Sequence, residues 1–532
     1  MKRSLAKFTT IVACILLAVG PLFASDDRVA GRAPVPTSAL KAELAVECYG
    51  GAFHVDPATG NDAADGLTPA TAWKTWNGFP SNACAGSSLL LKRGCKFALP
   101  LPIVGGSAGA PVVYGAYGNG PKPVLENKTI DLSEPASWTE ESKGTWHSPS
   151  MPEVANVLMG GASGNMRYTK TELRNHGEWF QDATGRGSLF IRSTQNPAIE
   201  WKSIEVIPAG NGIVLYGAPH SHIRFENLWL RKIGTHGIWM PNGASDVTIR
   251  NCDLNLIGGA IFRQDVFSRS YGDRFVERRV RFGNAIETWG NVADVLIEGC
   301  RITDVFDGGI TLQGFNDTTA RNIVVRNNVI WNCGYDSIDI AHGLAPINVI
   351  IEHNTCWNAG EGWALQGESR PRYSLHIPDQ IGYHLNFEIF DEPWDEQTAV
   401  TVRNNIFANA PAGRCFNFAP QPPLAADFQR FKIDRNCCFQ ANPADTLVQF
   451  GSRGFAPKRF GAAQFDEYRK FSGWDAGSIV ADPLFIDAAS ADFRLQPNSS
   501  CTGMGAQGAV FQAETAAGRI TYCNPSGETR TP

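Results

Sequence analysis

Little of this chain is apolar for long, and little of it is charged. Outside the first residues, no stretch is apolar enough to cross a membrane. Charged residues make up 19% and the net charge is −5. No block of Lys and Arg stands out, so composition gives no support to nucleic acid or an acidic membrane as partner. No CxxC pair of the zinc-binding kind is present. Helical periodicity is missing between the apolar stretches of the middle of the chain. Glycine is plentiful instead: 54 of 532 residues, many in "NG", "GG" and "DG" pairs. That pattern marks many short strands joined by tight turns.

Residues 1–24 read as a cleaved export signal. Lys2, Arg3 and Lys7 form the charged start, Ile11 to Val19 the apolar stretch, and Ala24 lies near the cut. Export implies a secreted or periplasmic location, where disulfides form. The chain has thirteen cysteines, one of them Cys14 in the signal. Cys84 with Cys95, and Cys501 with Cys523, are the pairs expected to bridge. Cys252, Cys300, Cys333 and Cys356 are expected as small buried side chains.

The central half repeats. "HIRFENLWLRKIGTHGIWM" (222–240), "DVTIRNCDLNLIGGAIF" (246–262), "DVLIEGCRITDVFDGGITL" (294–312), "NIVVRNNVIWNCGYDSIDI" (322–340), "NVIIEHNTCWNAGEGWAL" (348–365) and "AVTVRNNIFANAPAGRCFNF" (399–418) overlay one another. Each has an alternating strand, a polar pair, a second short strand, a glycine-containing bend and a third strand. Three strands per repeat with no helix between them predict an all-β fold, a right-handed parallel β-helix of the pectate-lyase-like kind. Asn328, Asn354, Asn405 and Asn436 recur at one step and are expected to stack as a structural amide ladder. The leucine-rich-repeat consensus and the antiparallel blades of a propeller are absent.

This predicts a signal at 1–24, a flexible segment at 25–50, and an N-terminal cap with the first coils at 51–126. An inserted β-rich subdomain follows at 127–200, then the β-helix at 201–510 and a tail at 511–532. Residues 481–501 read as the last strands.

Register then selects the candidate chemistry. Aligning "GNAIETWGNVADV" with "HGIWMPNGASDV" places Glu287, Thr311, Asp339 and Ala364 at one step of successive coils, beside the inward Ile286, Ile310, Ile338 and Trp363. Glu287 and Asp339 then face outward, two coils or about 9–10 Å apart. Asp307, Asp336 and Glu361 form an expected second column at the adjoining bend. An outward strip of carboxylates suits glycoside cleavage, which needs a proton donor and a base or nucleophile; its bland alternative is a solvated polar face. The insertion 263–283, with Arg263, Arg269, Arg274, Arg278, Arg279 and Arg281, could wall a cleft and bind hydroxyls or a uronate. Trp289, Gln313, Gln366, His342 and His384 complete the candidate substrate contacts.

The segments "FGNAIETWGN", "VFDGGITLQG", "RNNVIWNCGYDSIDI" and "HNTCWNAGEGW" resemble the β-helix proteins of glycoside hydrolase family 141 and their uncharacterised relatives. The resemblance covers roughly residues 52–500 and is specific in 283–365. It implies fucosidase- or xylanase-type activity, with catalytic carboxylates on adjacent coils: Asp307 in "VFDGG" and Asp339 in "YDSIDI", with Glu287 in "NAIETW" close by. The sequence departs from the family pattern at "GWALQGESRP", which inserts residues between Gln366 and Arg370.

The expectation is a monomeric, secreted enzyme degrading a polysaccharide or oligosaccharide, a glycoside hydrolase without cofactor. Asp307 and Asp339 would be the acid and the base or nucleophile, and Glu287, Asp336 and Glu361 would tune their pKa values or bind substrate. His342, Trp289, Gln313, Gln366, Arg263 and His384 would also contact substrate. The alternatives are a polysaccharide lyase acting on a uronate-containing glycan with Ca²⁺, and a non-catalytic carbohydrate-binding protein.

Overall fold

The computed structural model describes residues 50–532, apart from 183–185, 262–280, 315–317, 361–362, 364–381, 390–396, 412, 421–426, 452–455, 512–521, 524–528 and 531–532. The predicted export signal and the segment after it therefore lie outside the described residues.

The chain folds as an all-β, right-handed parallel β-helix. Three long sheets form its walls. The first and second have ten strands each and the third has nine. The first begins at Ala52–Val55 and ends at Phe431–Asp434, and all its neighbouring pairs are parallel. From Ile223 onward each coil supplies one strand to each wall, so Val247, Val295, Ile323, Val349 and Val400 stack directly above one another. Alternation turns these side chains into one continuous apolar core, which also takes Cys252, Cys300, Cys333 and Cys356, all fully buried as expected.

The bends have their own chemistry. Asn227, Asn251, Asn327 and Asn404 join the first sheet to the second with φ between 49° and 59°. Asparagine tolerates this left-handed region better than other non-glycine residues. Just beyond them the predicted ladder is present: Asn328 Nδ2 donates to Asn354 Oδ1, Asn354 to Asn405, and Asn405 to Asn436, each at 3.0 Å. All four are fully buried. The same oxygens accept backbone N–H groups, so the ladder satisfies donors that the bend would otherwise strand.

The two open ends are closed. At the start, Phe53 stacks on Trp73 and Phe79 lies edge-on to Phe53. At the far end, helix Phe465–Ser472 lays Phe465 and Tyr468 over the core and stops at Gly473 (φ 75°). Two mostly antiparallel sheets between residues 130 and 208 form an inserted body with its own core around Val157, Trp179, Ile191 and Val206.

Three expectations are corrected. The strands of 481–501 do not extend the solenoid. Phe485–Asp487 and Asp492–Leu495 form a hairpin whose Phe493 packs on Trp331 and Trp357, covering the outside of the second sheet. Cys84 is disulfide-bonded but Cys95 is free, so these two do not pair. Cys501 is also free, and its Sγ lies against Cys437 rather than Cys523, because the covering hairpin brings 501 onto the second sheet.

Candidate active site

The outer face of the third sheet carries the chemistry. Ile238, Ile286, Ile310, Ile338, Leu385 and Phe416 point into the core. The next residue of each strand points outward, giving the column Trp239, Glu287, Thr311, Asp339, Asn386, Asn417 and Gln449. Glu287 and Asp339 thus share a column with Thr311 between them. The next position is Asn386, not Ala364. The insertion delays the third strand of that coil to Tyr383–Ile389, and Ala364 lies outside the described residues. Trp363 is not the inward partner expected of it. It tucks against Phe306 and its indole N–H donates to the Asp304 carbonyl at 3.0 Å.

The second column also needs correction. Asp336 pairs in register with Tyr383, and Tyr383 with Arg414. Asp307 sits one step earlier: its carbonyl accepts the Tyr335 N–H at 3.1 Å. The cause is in the bend, where Asp307 precedes its inward isoleucine by three residues and Asp336 by two. Glu361 lies outside the described residues, as do Gln366 and Arg263.

Glu287 and Asp339 are only 3% and 2% exposed, so they do not form a solvated polar face. Buried carboxylates need partners. Glu287 Oε2 accepts from Asn284 Nδ2 at 2.8 Å and lies 2.6 Å from His236 Nδ1. His236 is itself fixed by stacking on Trp239 and by the edge of Phe282. Asp339 accepts from Gln313 Nε2 at 2.8 Å on one oxygen and from Asn386 Nδ2 at 3.0 Å on the other. Asp336 accepts the Tyr383 N–H at 3.0 Å, and the Arg414 guanidinium lies over the Tyr383 ring. Thr311 Oγ1, in the column between the two acids, is buried and has no hydrogen-bond partner among the described residues.

Other predicted residues divide. Trp289 and Gln313 are neighbours in register, and the His342 ring lies 5.8 Å from that of Trp289, so these three adjoin the column. Asp307 is half-buried at the bend. His384 does not join: it turns inward, contacts Ser337 Oγ and stacks on Phe407. Burial holds its imidazole down at about 3, and so neutral. Arg281 is buried too. It donates to the Gly259 and Ala155 carbonyls and lies over Phe306, tying the inserted body to the solenoid rather than walling a cleft. The remaining arginines of that insertion lie outside the described residues. Among the described residues, no group of three His, Cys, Asp or Glu side chains is placed to hold a metal ion.

Sequence reasoning missed His236, Asn284, Asn386, Tyr383 and Arg414. The first two were within reach, since the alignment of "HGIWM" with "NAIETW" already placed them at one step. The last three follow an insertion that hides the strand they belong to.

Comparison with known proteins gives the fold a family description: residues 187–374 match the right handed beta helix region. No curated protein matches the chain in sequence. Among solved structures it is similar to GH136 lacto-N-biosidase from Eubacterium ramulus, at 14% identity and TM-score 0.42, over 75% of this chain and 61% of that one. The chain thus spans about three fifths of that enzyme. It is also similar to a rhamnogalacturonan lyase (11% identity, TM-score 0.44, 86% of this chain and 99% of that one). A pectate lyase gives 13% identity and TM-score 0.40 over 86% of this chain and 92% of that one.

Proposed function

We propose that the protein is an exported polysaccharide-degrading enzyme, a glycoside hydrolase in which Glu287 and Asp339 act as the catalytic pair. One observation carries this reading: two buried carboxylates occupy the same outward column two coils apart, with Thr311 between them. Two strand spacings are about 9–10 Å, close to the 6.5–9.5 Å of inverting carboxyl pairs and well above the 5–5.5 Å of retaining ones. An inverting mechanism leaves room for a water between base and sugar. Glu287, beside His236 and Asn284, is the proton donor to the leaving oxygen. Asp339, held by two amide donors, is the base that activates the water. Trp289 and His342 offer ring faces for the sugar, and the half-buried Asp307 is a substrate contact at the bend. Asp336, fully buried on the side of the inward Ile338, supports the Tyr383 strand instead.

The test is a panel of plant and algal polysaccharides incubated with purified protein, read for new reducing ends and for ultraviolet absorbance together. New reducing ends without absorbance support the hydrolase. An absorbing, unsaturated product would replace this reading with the lyase. Neither signal on any glycan, with binding retained, would leave a carbohydrate-binding protein.

A further inference from the structure

Past Asp339 the outward column continues in amides, and their hydrogen bonds all run one way. Arg459 Nε donates to Gln449 Oε1 at 2.7 Å and Gln449 Nε2 to Asn417 Oδ1 at 3.3 Å. Asn417 Nδ2 donates to Asn386 Oδ1 at 2.7 Å, and Asn386 Nδ2 to Asp339 Oδ1 at 3.0 Å. Asn386, Asn417 and Gln449 are at most 2% exposed. The direction is imposed from one end. A guanidinium can only donate, so Gln449 must offer it an oxygen and turn its NH₂ to Asn417, and each following amide must do the same. A chain of this kind polarises along its length, each donor strengthened by the one behind it.

We propose that Arg459, Gln449, Asn417 and Asn386 are positioning residues: a one-way relay that presents an N–H to Asp339 and fixes its carboxylate as an acceptor aimed at the site. Gln313 completes this from the preceding coil, donating to the other Asp339 oxygen. An acid kept as acceptor on both oxygens suits the base, which leaves proton donation to Glu287 on the far side of Thr311. The relay's catalytic meaning rests on the proposed glycan cleavage; its hydrogen-bond order does not.

Two experiments test it. With a cleaved glycan in hand, Gln449→Leu and Arg459→Met should lower kcat about three- to thirtyfold, the range of coupling carried through contiguous networks, with KM within about twofold. Arg459→Lys, which keeps a donor, should recover most of the loss. In the Asp339→Asn background, Gln449→Leu should cost nothing more. A structural ladder would instead lower the thermal midpoint while leaving kcat unchanged, or act additively with Asp339→Asn, and either result overturns the relay. The second experiment needs no substrate. Neutron diffraction from deuterium-exchanged crystals of the wild type should place deuterons on Gln449 Nε2, Asn417 Nδ2 and Asn386 Nδ2, each facing the Asp339 end. One reversed amide, or a deuteron on Asp339 Oδ1, overturns the relay. A protein that shows this order but cleaves no glycan overturns the catalytic reading alone.

Discussion

Two polar columns climb this solenoid, and they differ in what they leave unfinished. Inside the bend, Asn354 accepts from Asn328 and donates to the Val325 and Glu352 carbonyls and to Asn405. It carries no charge, and its polar atoms are saturated by its neighbours. Outside the third sheet, the column of Glu287, Thr311 and Asp339 holds two ionisable groups and a buried hydroxyl without a partner. Stacking alone therefore says nothing about function, since both columns stack. A saturated, neutral ladder is what holds coils in register. A column with buried charge and an unmet donor costs stability, and active sites are where such costs are found.

The largest effect expected from this contrast is catalytic. Glu287→Gln and Asp339→Asn should each lower turnover of a cleaved glycan about 10²- to 10⁴-fold, with far-ultraviolet circular dichroism unchanged. The matching change in the inner ladder should do the reverse. Asn354→Ala strands the buried Asn328 N–H and breaks the ladder between Asn328 and Asn405, so it should cost about 2–4 kcal/mol of stability, seen as a lower urea midpoint, while the surviving folded protein keeps its turnover.

The inward His384 sharpens the comparison through pH. Its folded pKa of about 3 lies below the ordinary histidine value. The unfolded chain therefore binds more protons between these two values, and stability falls as pH drops from about 6.5 toward 3. His384→Leu should flatten that part of the profile, measured by urea unfolding across pH 7 to 4. The smallest effect is expected at Thr311. Its hydroxyl makes no hydrogen bond among the described residues, so Thr311→Val should change stability by less than about 1 kcal/mol or raise it, while turnover falls if the hydroxyl meets water or sugar.

The fold was legible because the solenoid repeats its signals. Ile286, Ile310 and Ile338 recur at one step, and Asn328, Asn354, Asn405 and Asn436 at another, so register could be carried from coil to coil. The pairing of Glu287 with Asp339 followed from that register alone. Legibility failed where spacing changed. One residue more in the bend moves Asp307 off the Asp336 step. The insertion after residue 365 hid Asn386, and with it the amides that hold Asp339. His384 was placed among the substrate contacts because its strand, Tyr383–Ile389, was unrecognised; in that strand the ring is fully buried against Phe407. The pairing of Cys501 failed for a different reason: contacts made by a folded-back hairpin have no local signal.

The stereochemistry of the first product tests the central claim most directly. Proton NMR of a glycan during its first turnovers should show the anomer inverted relative to the cleaved bond, with no product from Glu287→Gln. A retained anomer, or an unsaturated sugar, would contradict a pair of acids set two coils apart with water between them.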